Sequence, residues 1–173
     1  MSMTDAYLID SNALIAPYRN YYPFDLVPTF WEQMKYHVEA GNIAILDLVK
    51  AEIEKNDDDL GKWLKEINIK NLVQYKNQDI VNSYAEIIKY IEECGCYEIN
   101  KALDQWNLPA ADPWLIAAAC VYGYTVVTFE LPNNNLSPAN QSRKIKIPDV
   151  CRPFGIQYCN LYEMMRELSI KLG

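Results

Sequence analysis

The stretch Tyr7-Leu8-Ile9-Asp10-Ser11-Asn12-Ala13-Leu14 holds three apolar residues, then an acid, then two small polar residues. A short solid apolar run stopped by a polar cluster is the pattern of a strand buried on both faces. Working outward, Ile43-Ala44-Ile45-Leu46, Leu72-Val73, Thr125-Val126-Val127-Thr128-Phe129 and Ile156-Gln157-Tyr158 read as further strands. The segments between them repeat apolar residues at helical spacing. Such alternation predicts an α/β fold with a parallel sheet covered on both faces by helices. In that architecture ligands gather at the carboxyl ends of the strands, where the strand order reverses.

The helices carry start and stop signals. Leu26, Val27, Phe30, Trp31, Met34 and Val38 predict one that Gly41 ends. Asp47 is the expected N-cap of the next, which carries Val49 and Ile53 into Asp57-Asp58-Asp59. Trp63, Leu64 and Ile67 predict a short helix, Ile80 to Ile91 an amphipathic one ending near Gly95, and Tyr97 to Trp106 another. Asp112-Pro113 reads as an N-cap followed by proline in the first turn, with Gly123 closing that helix. Leu131 to Ser142 has four asparagines, two prolines and no charges, and is expected to be a mobile loop. Ile145 to Ile147 is expected to be extended, and Leu161, Met164, Met165 and Leu168 give a closing helix. No repeat or linker divides the chain, so residues 1–173 read as one domain.

Composition narrows the chemistry. The net charge is −7 and the pI is near 4.7, which argues against coating nucleic acid by charge alone. The single histidine, His37, excludes a two-histidine metal site, and no nucleophile elbow accompanies it. Five cysteines, an odd number without a CxxC, read as reduced thiols of a cytoplasmic protein. Met1 to Asp5 lacks the basic and apolar regions of a signal peptide. The uncharged stretch from Pro113 to Phe129 is divided by Gly123 and reads as core, so no membrane association is expected.

The chemistry therefore falls to carboxylates. Asp10 ends the first strand, Glu52 lies one turn into the helix after the second, Asp112 opens the helix before the fourth, and Glu130 follows the fourth directly. All would lie on one rim of the predicted sheet. A few convergent carboxylates suffice for a hard cation such as Mg²⁺ or Mn²⁺. Two such ions about 4 Å apart can clamp both oxygens of a phosphodiester displacement. Each acid also has a structural reading: Asp112 as a helix cap, Glu52 as a surface residue, Glu130 as a loop acid. Asp10 is the exception, because an acid ending an apolar strand is costly to bury without a partner.

These residues resemble the PIN-domain ribonuclease superfamily. Tyr7 to Leu14 is similar to the family's opening, an aspartate followed by a small hydroxyl residue and asparagine. Val49-Lys50-Ala51-Glu52-Ile53 is similar to the second acidic motif, Ala111 to Ala119 to the third, and Val127-Thr128-Phe129-Glu130 to the fourth. The resemblance implies a three-layer α/β/α fold with strand order 3-2-1-4-5. It also implies a metal-dependent endoribonuclease whose site is Asp10, Glu52, Asp112 and Glu130, with Ser11, Asn12 and Thr128 orienting carboxylates and water. Small members are often toxins held by a protein antitoxin, and a homodimer is expected. A catalytically silent binding module, or an RNA-processing nuclease without an antitoxin, are the alternatives. Two features depart from the family pattern: Glu130 stands where aspartate is usual, and the loop after it is long. Lys144 to Cys151 resembles an uncharacterised PIN-like subgroup, in which Asp149 reads as a fifth acid or, preferably, a helix cap. Arg143, Lys144, Lys146 and Arg152 are the densest basic cluster and either bind RNA phosphates or form a solvated face. Lys50 and Lys55 flank Glu52. Most of the thirteen tyrosines and four tryptophans are expected in the core.

Overall fold

In the computed structural model, which describes residues 6–173, Tyr7–Ile9 forms β1 at the centre of a five-stranded sheet. The expectation for Met1 to Asp5 lies outside the described residues. Ile43–Leu46 is β2, Leu72–Val73 β3, Thr125–Val127 β4 and Tyr158–Cys159 β5. Every pairing is parallel and the order is β3-β2-β1-β4-β5, as expected for the three-layer α/β/α fold. Tyr7 aligns with Ile43 on one side and Thr125 on the other, so β1 is enclosed by both neighbours. β2 is buried along its whole length, which is why it needs an unbroken apolar run.

The helices are α1 (Ser11–Ala16), α2 (Pro28–Ala40), α3 (Asp47–Glu54), α4 (Asp59–Glu66), α5 (Gln78–Glu93), α6 (Ile99–Asp104), α7 (Asp112–Tyr122), α8 (Ile147–Cys151) and α9 (Leu161–Glu167). A π-helical segment, Pro17–Tyr21, extends α1. α7 is buried from Pro113 to Ala119, and the left-handed Gly123 (φ 70°) closes it. Trp114 stacks on Tyr84 of α5, with ring centroids 4.0 Å apart, and meets Tyr75 edge-on. This clamp fixes the start of α7 against α5. None of the helices among the described residues is long and apolar enough to cross a membrane.

Several boundaries differ from expectation. Leu26 and Val27 lie outside α2, because Pro28 is tolerated only in the first turn. The same rule turns the expected extension at Ile145 to Ile147 into the start of α8, with Pro148 in its first turn. The last strand is Tyr158–Cys159 instead of Ile156 to Tyr158. Asp47 and Asp112 are first-turn residues of their helices and not N-caps. The Asp47 carboxylate still takes the N–H groups of Leu48 and Tyr75. The connection from Leu131 to Ser142, expected to be mobile, follows a specific path. Asn133 accepts from the Asn135 N–H, the Asn140 amide donates to the Asn135 carbonyl, and Ser142 exchanges backbone hydrogen bonds with Cys96 and Glu98.

Candidate metal centre at the strand ends

The chain runs from β1 outward to β2 and β3, then returns to place β4 on β1's other side, so the strand order reverses between β1 and β4. Asp10 sits at the carboxyl end of that seam, where its N–H donates to the Val127 carbonyl at 2.9 Å. α7 runs back along the sheet and brings Asp112 to the same end. α3 leaves β2 there and carries Glu52, and β4 delivers Thr128 and Glu130. Thus four acids far apart in sequence share one rim.

Asp10 is only 3% exposed. The Ser11 hydroxyl donates to its Oδ1 at 3.4 Å and the Thr128 hydroxyl to its Oδ2 at 3.3 Å. Thr128 in turn accepts the Glu130 N–H at 3.1 Å, so one hydroxyl ties the two acids together. Burial, then the Asp112 and Glu130 carboxylates, push the Asp10 carboxyl up from 3.8 to about 7, with a smaller push from Glu52. Asp112 is raised to about 6 by burial and by Glu130 and Glu52. Asp10 and Asp112 thus both feel the charges of Glu130 and Glu52. None of them takes part in an ion pair among the described residues.

The cluster is open and not a closed cage. Among the described residues, no three acidic, histidine or cysteine side chains are close enough together to hold an ion. The donors available are all oxygens, which suit a hard cation that retains several waters. Glu52 and Asp112 line a cleft of about 540 Å³ with Ser11, Asn12 and Lys55. Asn12 and Glu130 line a second cleft beside it. His37 is remote: its ring bonds Asn42 just before β2, at the opposite end of the sheet.

The remaining candidates separate. Asp149 is not a helix cap, since Lys146 holds that position. It lies in the first turn of α8, where its Oδ1 accepts the Asn133 N–H at 2.8 Å. The basic cluster also divides. Arg143 pairs with Glu98 at 2.9 Å, Lys144 is exposed, Lys146 and Arg152 act on Asp149, and Arg152 also donates to the Tyr158 hydroxyl. Lys50 pairs with Glu54, whereas Lys55 stays in the acid cleft. The sequence reading missed that Glu130 Oε2 accepts the Ile147 N–H at 2.7 Å. That bond joins the rim to α8 across the long connection, and its only local signal is the length of the glutamate. It also missed the aromatic surface beside Glu130, whose members are scattered at Tyr21, Phe129 and Tyr162.

Residues 7–172 match a family described as a domain of unknown function (DUF4411). No curated protein matches the chain.

Proposed function

The chain belongs to the DUF4411 family, and for it we propose a metal-dependent endoribonuclease that hydrolyses RNA phosphodiesters on the pattern of a PIN domain. Asp10 carries this reading. It is a buried carboxylate with acids around it, at the seam where a parallel sheet binds ligands. Uncompensated buried charge costs several kcal/mol, and a divalent cation offsets that cost. Asp10, Asp112 and Glu130, which do not close on a single ion as they stand, would hold Mg²⁺ or Mn²⁺ partly through the waters such an ion retains, with Glu52 at the rim. When bound, such an ion supplies the charge that activates water and stabilises the leaving oxygen.

The protein's own residues would do the positioning. Ser11 and Thr128 fix the Asp10 carboxylate. Thr128 also sets the backbone from which Glu130 projects. Asn12, exposed between the two clefts, would orient water or a phosphate oxygen. Lys55 is the cation that lines the acid cleft and is suited to a substrate phosphate. The resemblance at Tyr7 to Leu14 and Ala111 to Ala119 further supports a cytoplasmic, homodimeric toxin held by a protein antitoxin.

Labelled RNA incubated with purified protein and Mn²⁺ tests the activity. Cleavage is expected to stop with EDTA and with Asp10→Asn. Metal-independent cleavage, or an Asp10→Asn variant as active as the parent, would remove the assignment. For the toxin reading, expression alone should arrest bacterial growth, and the product of the adjacent gene should relieve the arrest. Unimpeded growth would leave the nuclease without that role.

A further inference from the structure

The second cleft, of about 510 Å³, is lined by Asn12, Ala16, Tyr21, Phe129, Glu130 and Tyr162. Half of these are aromatic, and the rings are accessible: Tyr21 is 57% and Tyr162 38% exposed. They are also held in place. Phe129 meets Tyr162 edge-on at 6.0 Å, and Tyr21 meets Tyr22 at 6.4 Å. Tyr22 packs on the buried Phe30 at 4.8 Å and has the Tyr162 hydroxyl as a neighbour. Exposed rings supported from behind lose little freedom when another flat group stacks on them.

The cleft is continuous with the acid rim. Asn12 lines both clefts, and Glu130 belongs to the rim and to the aromatic wall. The two clefts therefore adjoin at Asn12, with Glu52 and Asp112 on one side of it and Glu130 and the aromatic rings on the other. Charge cannot supply most of the affinity for a polyanion here. The chain carries −7, and Arg143 and Lys50 are engaged by Glu98 and Glu54. Base–aromatic stacking contributes about 1–3 kcal/mol per base and is insensitive to net charge.

We propose that Tyr21, Phe129 and Tyr162 form a stacking subsite for an unpaired nucleobase flanking the phosphate at the acid rim. The subsite rests on the nuclease reading for its orientation toward the rim, but its binding is measurable without cleavage. A duplex keeps its bases stacked on one another and offers no free face to these rings.

The test compares the parent with Tyr21→Ala, Tyr162→Ala and Tyr162→Phe. The probes are a labelled single-stranded oligoadenylate, the same strand with abasic sites, and a duplex. Affinities are read by fluorescence anisotropy in EDTA and in Ca²⁺. Each alanine variant should weaken oligoadenylate binding by about fivefold or more, the lower end for loss of one stacked base. Tyr162→Phe should retain it, and the abasic strand and the duplex should bind the parent weakly. With Mn²⁺, the loss should fall in KM and not in kcat. Tyr21 is exposed, so its alanine variant is expected to fold, and circular dichroism checks this.

Parent-like affinity in folded alanine variants, equal binding of the abasic strand, or no binding of oligoadenylate by the parent would each overturn the subsite. So would variants whose only change is in sedimentation, which would make the face a contact between copies of the chain. If aromatic-dependent binding stands while Mn²⁺ gives no cleavage, the nuclease reading fails and the subsite survives. If cleavage depends on Asp10 but not on the tyrosines, the reverse holds.

Discussion

Asp10 and Asp149 are both nearly inaccessible, 3% and 8% exposed, yet their electrical surroundings are opposite. Among the described residues, the charges that act on Asp10 are other carboxylates, and two neutral hydroxyls donate to it. Around Asp149 the influences that oppose its burial are a backbone N–H from Asn133 and the cations Lys146 and Arg152. Both carboxyls are raised above their ordinary value by burial, but like charges add to the rise at Asp10, whereas at Asp149 an N–H and cations subtract from it. At Asp149 the compensation is partial, since Oδ1 accepts the Asn133 N–H while Oδ2 is buried without a hydrogen-bond partner among the described residues. Where compensation is replaced by repulsion, the structure stores cost that a proton or an added cation relieves.

The largest expected effect follows from that stored cost. Asp10→Asn should lower metal-dependent cleavage by more than the roughly 10–100-fold typical of removing an outer-shell partner of a metal ligand. The same substitution should stabilise the metal-free protein at pH 8, by an amount on the order of 2–4 kcal/mol given about 1.4 kcal/mol per pKa unit. Paired thermal melts in EDTA and cleavage assays would read both quantities. A variant that loses activity and also loses apo stability would break the contrast, because Asp10 would then be a supporting residue like Asp149.

The pH dependence has the same origin. A carboxyl raised in the folded state binds its proton more tightly there than in the unfolded chain. Its favourable contribution is complete below the unfolded value of 3.8 and is lost as pH rises through about 7 for Asp10 and about 6 for Asp112. Stability in EDTA should therefore decline as pH rises from about 4 to about 7. Saturating Mn²⁺ should flatten or reverse that slope, since ligation competes with protonation. Denaturant melts across this range, with and without metal, provide the check. A slope that survives Asp10→Asn and Asp112→Asn together would assign it to other groups.

How far the sequence could see this contrast depends on the range of each interaction. The strands were legible because burial on both faces leaves an apolar run, and Asp10 stood out because it ends one. Glu52, Asp112 and Glu130 became legible only through the parallel topology and the family resemblance, which place their elements at one rim. Asp149 was misread as a helix cap because its partner, the Asn133 N–H, is a loop group 16 residues away that no local pattern marks. The basic run at 143–152 looked like one patch in sequence. In three dimensions Glu98 takes Arg143 away, and Asp149 draws on Lys146 and Arg152. Proline at the first turn of α8, which converts the expected extension to helix, was visible in sequence and was underweighted.

Glu130 joins the two regions and sharpens the comparison at an intermediate scale. It raises Asp10 and Asp112 from the rim, while its Oε2 accepts the Ile147 N–H at the start of α8. Glu130→Gln preserves an acceptor for that N–H and removes the charge. Cleavage should fall by at least roughly tenfold, since losing even a group that only supports a metal ligand costs about that, while melting in EDTA should stay level or rise as the repulsion on Asp10 and Asp112 is relieved. Glu130→Ala should add a stability loss of about 1–3 kcal/mol, because the buried N–H of Ile147 is left unpaired. Equal melting of the two variants would show that the bond to α8 carries no weight.

The smallest effect on activity is expected at Asp149. Its carboxylate satisfies the Asn133 N–H and anchors the return of the long connection onto α8. Asp149→Ala should cost about 1–3 kcal/mol of stability through that unpaired donor. Cleavage measured well below the melting temperature should change by less than about threefold, an effect of about 0.6 kcal/mol on the barrier, since the charges that act on Asp10 and Asp112 are the other rim acids. The partial compensation at this site also predicts that Asp149→Asn is gentler than Asp149→Ala, because the amide oxygen can still accept from Asn133. A loss of cleavage on the scale of Asp10→Asn, at preserved stability, would move Asp149 into the metal site and erase the distinction between the two aspartates.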